Sequence, residues 1–256
     1  MGSPPWEAGE ALNDRERTVR YGAPAMEAPF SLPEYRRRLD RVRAGMARTG
    51  IDLLYVMAPE SMCYLSGYQN EWYQGQSPKA WAASSGIAVH VDRDAFILFD
   101  SPAEALLGRA SSVATDIRHT DRASAGIDFI VAELKAAGWL TGAVGLEMWS
   151  YRPNRVVSER FQAAFEGAGC AVVDGTDIVR EARRLKSPQE LATMEIAARI
   201  ADIGLEAARQ VLRPGVTELE VYGETIAAMA KAGGENAGIT LPVLSGIKTP
   251  TGHGLA

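Results

Sequence analysis

The sequence predicts an α/β domain followed by a second, helix-led domain that the chain only begins. Short apolar strands and amphipathic helices alternate from Leu32 to Asp174, which is the pattern of a sheet with crossover connections. Farther on, Ser187-Pro-Gln-Glu190 and Thr217-Glu-Leu-Glu220 form two capping boxes. In each, the hydroxyl serves an orphan helix amide and the Glu reaches back to the cap nitrogen. The expected division is an arm over 1–30, an α/β domain over 31–182 and the opening of a further domain over 183–256.

The arm is rich in Pro, Gly, Ala and charge without sustained periodicity, so loose order is expected there. Ser31-Leu-Pro-Glu34 then supplies a cap, an early proline and a Glu three residues on, and Leu39, Val42 and Met46 recur at helical spacing as far as Thr49-Gly50. Residues 51–57 read as a buried strand and 59–64 as a short helix closing at Leu65-Ser-Gly67. Residues 87–90 and 95–99 read as a hairpin turned by Asp92-Arg-Asp94. Helices at 102–110, 124–137 and 153–167 alternate with strands at 114–119, 142–148 and 170–174.

Residues 181–187 sit at the join. The helix capped by Ser187 runs to about Leu212, and the one capped by Thr217 runs through Lys231 to the stop at Gly233-Gly234. At roughly 100° per residue, Leu191, Met194, Ala198, Ala201, Leu205, Ala208 and Leu212 fall in one stripe of the long helix. Ile196, Ile200, Ile203, Ala207 and Val211 form a second stripe beside it, and such a helix needs cover from two sides. After Lys231 only 25 residues remain, with one short strand candidate at 238–243. We expect the domain to continue past Ala256; the alternative is cover from the first domain.

A formal charge of -5 and a pI near 5.4 leave no cationic surplus for phosphate backbones or anionic lipid, so neither nucleic acid nor membrane is an expected partner. No stretch has the roughly 20 apolar residues of a membrane-spanning helix, and residues 1–19 lack a secretory core. Cys63 and Cys170 stand far apart in apolar settings and read as buried thiols, which makes a reducing cytoplasm the expected location. Dinucleotide, Walker and HExxH motifs are absent, and the three histidines carry no carboxylates at ligand spacing. His90 and His119 lie inside or at the end of strands and read as structural. His253, in a Gly/Thr-rich loop, is placed for acid, base or hydrogen-bond chemistry near neutral pH. The loop Gly67–Gln76 mixes rings, amides and a carboxylate around Trp72 and Tyr73, the composition of a binding surface or of a dimer-interface loop.

Four strings together resemble the creatinase and Xaa-Pro aminopeptidase family: Met62-Cys-Tyr-Leu-Ser-Gly67, Arg183-Arg-Leu-Lys-Ser-Pro-Gln-Glu190, Leu212-Arg-Pro-Gly-Val-Thr-Glu218 and Ser245-Gly-Ile-Lys-Thr-Pro-Thr-Gly-His253. The resemblance implies a ribonuclease-H-like α/β domain followed by a truncated α+β domain of the pita-bread kind. It implies that His253 is the substrate-side catalytic histidine and that the Trp72-Tyr73 loop binds substrate at a neighbouring subunit's active site in a homodimer. It further implies two divalent ions, Mn or Co, in the full-length protein, held by two Asp, one His and two Glu that all follow Ala256. This chain alone is then expected to bind no metal and to be inactive. The implied activity is hydrolysis of a C–N bond in a small nitrogenous solute or an Xaa-Pro dipeptide; the alternatives are a non-catalytic protein-binding member or a lyase on the same scaffold.

Overall fold

The computed structural model describes residues 26–69, 85–119, 126–150, 153–235, 238 and 241–250. The chain divides between Leu185 and Lys186 into two compact units. In the first, the elements run α1 (Leu32–Thr49), β1 (Leu53–Val56), α2 (Pro59–Ser66), β2 (Gly86–His90), β3 (Phe96–Asp100), a 3₁₀ turn (Pro102–Glu104), α3 (Ala105–Ser111) and β4 (Asp116–His119). They continue through α4 (Gly126–Ala136), β5 (Ala143–Leu146), α5 (Arg155–Gly167), β6 (Ala171–Asp174) and α6 (Thr176–Arg184). The caps behave as the residues require: Ser31 Oγ accepts the amide of Glu34, and Gly50 closes α1 at φ 70°.

The strands form one mixed sheet in the order β4-β3-β2-β1-β5-β6. β2 pairs antiparallel with β1 and β3, whereas β4 joins β3, β5 joins β1 and β6 joins β5 in parallel. Five strands therefore point one way and β2 alone is reversed, which places the carboxyl ends of the five and the start of β2 along one edge. Side chains alternate across the sheet. Leu54, Val56, Ile87, Val89 and Leu98 pack with α1, α2 and α6, while Leu53, Tyr55, Ile97, Phe99, Val144 and Leu146 pack with α4 and α5. Helical cover on both faces explains why the inner strands read as unbroken apolar runs.

Three differences from the sequence reading have physical causes. α6 was not anticipated: Gly175 offers it no side-chain cap, and its basic end Arg183-Arg184 merges with the junction. It is nonetheless sharply amphipathic, burying Ile178, Val179 and Ala182. Cys63 is half-buried rather than enclosed, whereas Cys170 is buried. The strand expected over 238–243 is not formed at 238 or at 241–243, because a strand needs a ladder partner and Pro242 removes one donor. At the other end, the last residues of the arm make contacts: the Glu27 amide donates to Ala110 O at 2.7 Å and the Arg38 guanidinium lies 4.1 Å over the Phe30 ring.

The second unit is built on α7 (Pro188–Val211) and α8 (Glu218–Lys231). Both capping boxes form, with Ser187 and Glu190 exchanging bonds of 3.1 and 2.8 Å and Thr217 and Glu220 bonds of 3.2 and 2.8 Å. The helices touch where α7 has no side chain: a Cβ on Gly204 would lie 2.7 Å from Met229 Cγ and 3.2 Å from Thr225 Cγ2. Gly204 is also the buried residue of α7. Leu191, Met194, Ile196, Ile203 and Leu205 remain 47–68% exposed.

Candidate functional site

His253, Trp72 and Tyr73 lie outside the described residues; what the structure places is the chain ahead of His253 and the residues that flank 70–84. Ahead of His253, the 3₁₀ turn Gly246–Lys248 is tied to the start of α8. The Glu218 carboxylate accepts from the Ser245 amide at 2.6 Å and its hydroxyl at 2.9 Å, and it pairs with Lys248. Lys248 and Ser245 hold Glu218 below the usual carboxylate range.

The carboxyl edge of the sheet concentrates ionisable groups. Asp100 ends β3, His119 ends β4 opposite it in register, Glu147 follows β5 and Asp174 ends β6. Asp100 is 3% exposed, and its carboxylate accepts from the hydroxyls of Tyr68 and Ser85 and, at 2.7 Å, from the Ser101 amide. Burial pushes the Asp100 carboxyl up, against the pull of Ser85, Tyr68, the Ser101 amide and the charge of His119.

Glu147 anchors the residues that lead into α2. Ala58, the cap residue, has no side-chain acceptor, and the Glu147 carboxylate arrives from β5 to take the amides of Met57 at 3.2 Å and Ala58 at 3.0 Å and the Ser61 hydroxyl. An anion at a helix N-terminus also meets the positive end of the dipole. Burial raises the Glu147 carboxyl, and the Ser61, Ala58 and Met57 donors oppose that rise.

The histidines divide along structural lines. His90 Nδ1 accepts from the Asp92 amide at 3.1 Å, Nε2 faces Thr141 Oγ1 at 3.3 Å, and the ring meets Trp139 edge-on at 5.8 Å. Burial lowers its pKa first and the charge of Arg93 second, which suits a neutral ring. Among the described residues, His119 Nδ1 is buried without a hydrogen-bond partner. Burial pushes the Tyr35 hydroxyl up to about 12. Among the described residues no group of three or more His, Cys, Asp or Glu is placed to hold a metal ion.

Asp100 and Glu147 are thus sealed acceptors, suited to holding backbone and hydroxyl groups in place rather than to attacking a substrate, whereas His119 is half-buried and Asp174 is exposed. Sequence reasoning passed over Asp100 and Glu147. The signal was present in both: a carboxylate closing an apolar strand, Phe-Ile-Leu-Phe-Asp100 and Ala-Val-Gly-Leu-Glu147, where burial demands donors.

Residues 38–185 match the family model of the Creatinase/Prolidase N-terminal domain. The chain belongs to this family. Its similarity to other creatinase/prolidase proteins extends beyond the matched domain. It is 31% identical to an uncharacterized hydrolase/peptidase, y4tL, of Sinorhizobium fredii, over 85% of this chain and 56% of the relative. It is 26% identical to creatinase of a Bacillus species over 87% and 51%, and 25% identical to ectoine hydrolase of Halomonas elongata over 77% and 49%. Among solved structures, the X-Pro aminopeptidase of Thermotoga maritima shares the fold with a TM-score of 0.69 at 21% identity, over 85% of this chain and 56% of that one. The chain spans about half the length of the curated relatives it matches. No helix among the described residues is long and apolar enough to cross a membrane.

Proposed function

We propose that the chain is the leading half of a creatinase/prolidase-family hydrolase that cleaves a C–N bond in a small nitrogenous solute or an Xaa-Pro dipeptide. The observation that carries this reading is that relatives named as a hydrolase/peptidase, a creatinase and an ectoine hydrolase each match over 77–87% of the chain, on both sides of the boundary at Leu185. In this reading His253 acts on the substrate as acid, base or hydrogen-bond donor. Trp72 and Tyr73 line a substrate pocket in a homodimer, and the protein works in the cytoplasm. The first unit is the ribonuclease-H-like domain. The second opens a pita-bread domain whose remainder covers the exposed face of α7. Two divalent ions, Mn or Co, belong to that remainder and supply an activated water there.

The test uses the full-length gene product. Purified protein is assayed against creatine, ectoine and Xaa-Pro dipeptides, with and without added Mn²⁺ or Co²⁺, with His253→Ala alongside. Turnover of one class that falls at least a hundredfold in H253A supports the reading. Absence of turnover on all three classes, or an H253A variant as active as wild type, refutes it.

A further inference from the structure

Two residues bracket the segment on which substrate contact is proposed, and both are fixed by features the catalytic reading does not use. Tyr68 follows Gly67, which closes α2 at φ 82°; a Cβ there would lie 2.8 Å from the Tyr35 hydroxyl oxygen and 3.1 Å from Ser111 O. Ser85 precedes Gly86, where a Cβ would come within 2.5 Å of the Tyr55 ring. Each glycine thus lets the backbone press onto a packed tyrosine, at a position no other residue can take without displacing that ring. Tyr68 and Ser85 are 1% and 2% exposed. Seventeen positions separate them along the chain, and one carboxylate joins them.

We propose that Asp100 is a positioning residue: its carboxylate bolts Tyr68 and Ser85 to the end of β3, and so fixes both ends of the intervening segment relative to the sheet. The bonding pattern distinguishes this role from an ordinary helix cap. Asp100 stands two residues ahead of the 3₁₀ turn at Pro102–Glu104, and a cap's oxygens would take the amides that open that turn. Instead the carboxylate takes only the adjacent Ser101 amide locally and gives its remaining capacity to two hydroxyls from distant parts of the chain. A carboxylate removed from water is unfavourable unless donors surround it, and three converge here. The rise in its pKa on burial agrees with that seclusion. α2 is consequently held at both ends by buried acids from the same edge, Glu147 at its start and Asp100 just beyond its close.

The catalytic consequence rests on the reading of Trp72 and Tyr73 given above; the clamp itself does not. The experiment therefore has an arm for each. In the full-length protein, Asp100→Ala, Tyr68→Phe and the double variant are compared with wild type for the rate of chymotryptic cleavage between residues 69 and 84, under native conditions, and for kcat and KM on the substrate found to turn over. Y68F removes a single hydroxyl from a retained ring, so it remains informative if D100A does not fold. The expected result is cleavage at least tenfold faster in D100A and Y68F. The double variant is expected to be no faster than D100A, because that change already removes the bond that Y68F removes. KM is expected to rise at least fivefold while kcat stays within twofold. Cleavage at the wild-type rate in both single variants overturns the clamp whatever the activity. Faster cleavage with unchanged KM overturns its role in substrate binding. A wild-type protein without turnover sinks the hydrolase reading and that role together, and the cleavage rates still decide the clamp.

Discussion

Cutting Glu147 back to Ala tests the claim that a carboxylate just past β5 anchors the entry to α2. The side chain accepts two backbone amides and one hydroxyl at a site only 7% exposed. Removing it leaves three donors without an acceptor, each costing about 1–3 kcal/mol when water cannot replace the bond. The cavity left by the side chain admits some water, so the lower end of that range applies to each donor, and the total is about 3–5 kcal/mol. For a unit of this size that lowers Tm by roughly 10 °C. Glu147→Gln keeps an acceptor oxygen for Met57 and Ala58, and its amide can donate to Ser61, whose hydroxyl rotates to accept; its cost is about 1 kcal/mol. Urea unfolding of the 256-residue chain, followed by far-UV circular dichroism, measures both. An E147A variant within about 1 kcal/mol of wild type, or an E147Q variant as damaged as E147A, refutes the anchoring argument.

Acidification separates the same residue by charge. The folded-state pKa of Glu147 lies above its unfolded value, so its contribution to stability is fully present below the ordinary carboxylate range, near pH 4, and is lost as pH rises through the raised value. Wild type is therefore expected to gain on E147Q as pH falls from 7 toward 4, and a difference that is flat or of opposite sign contradicts this. Phe161→Ala, at a fully buried ring stacked 4.9 Å from Tyr55, is expected to cost about 3–5 kcal/mol in the same unfolding assay. Leu205→Glu, 68% exposed on α7, is expected to change the stability of the 256-residue chain by no more than about 0.5 kcal/mol. Gly204→Leu is expected to part α7 from α8, read as lost helicity, because its Cβ alone would meet Met229 at 2.7 Å.

What was legible in the sequence is what local chemistry decides. The caps at Ser31, Ser187 and Thr217 place hydroxyl and carboxylate three residues apart, so the bonds they form are visible in the string itself. The hairpin of β2 and β3 is legible for the same reason, two apolar runs across an acidic turn. α6 escaped because it lacks a cap signal and spans little more than two turns, and amphipathic spacing over nine residues is easily absorbed into a junction. The mixed sheet was only half visible: alternation announces crossovers, but that β2 alone runs against its neighbours follows from which strands pair, a long-range fact.

The same distinction separates the candidate site residues from those that brace the edge. His253, Trp72 and Tyr73 stood out by residue type in glycine-rich or aromatic loops, whereas Asp100 and Glu147 are common acids whose meaning depends on partners 15 to 90 positions away. Their burial is what makes them informative. An acid at the end of an apolar strand either faces water or must be surrounded by donors. In this fold α2 and the start of β2 deliver those donors to the carboxyl edge, where open α/β sheets also bind their ligands. The scaffold groups that brace the edge are therefore chemically of the same kind as groups that bind substrates, and the two are told apart by exposure. Asp100 and Glu147 are sealed, so substitutions there are expected to act through the position of what they hold, with KM and local opening as their signature rather than loss of the chemical step.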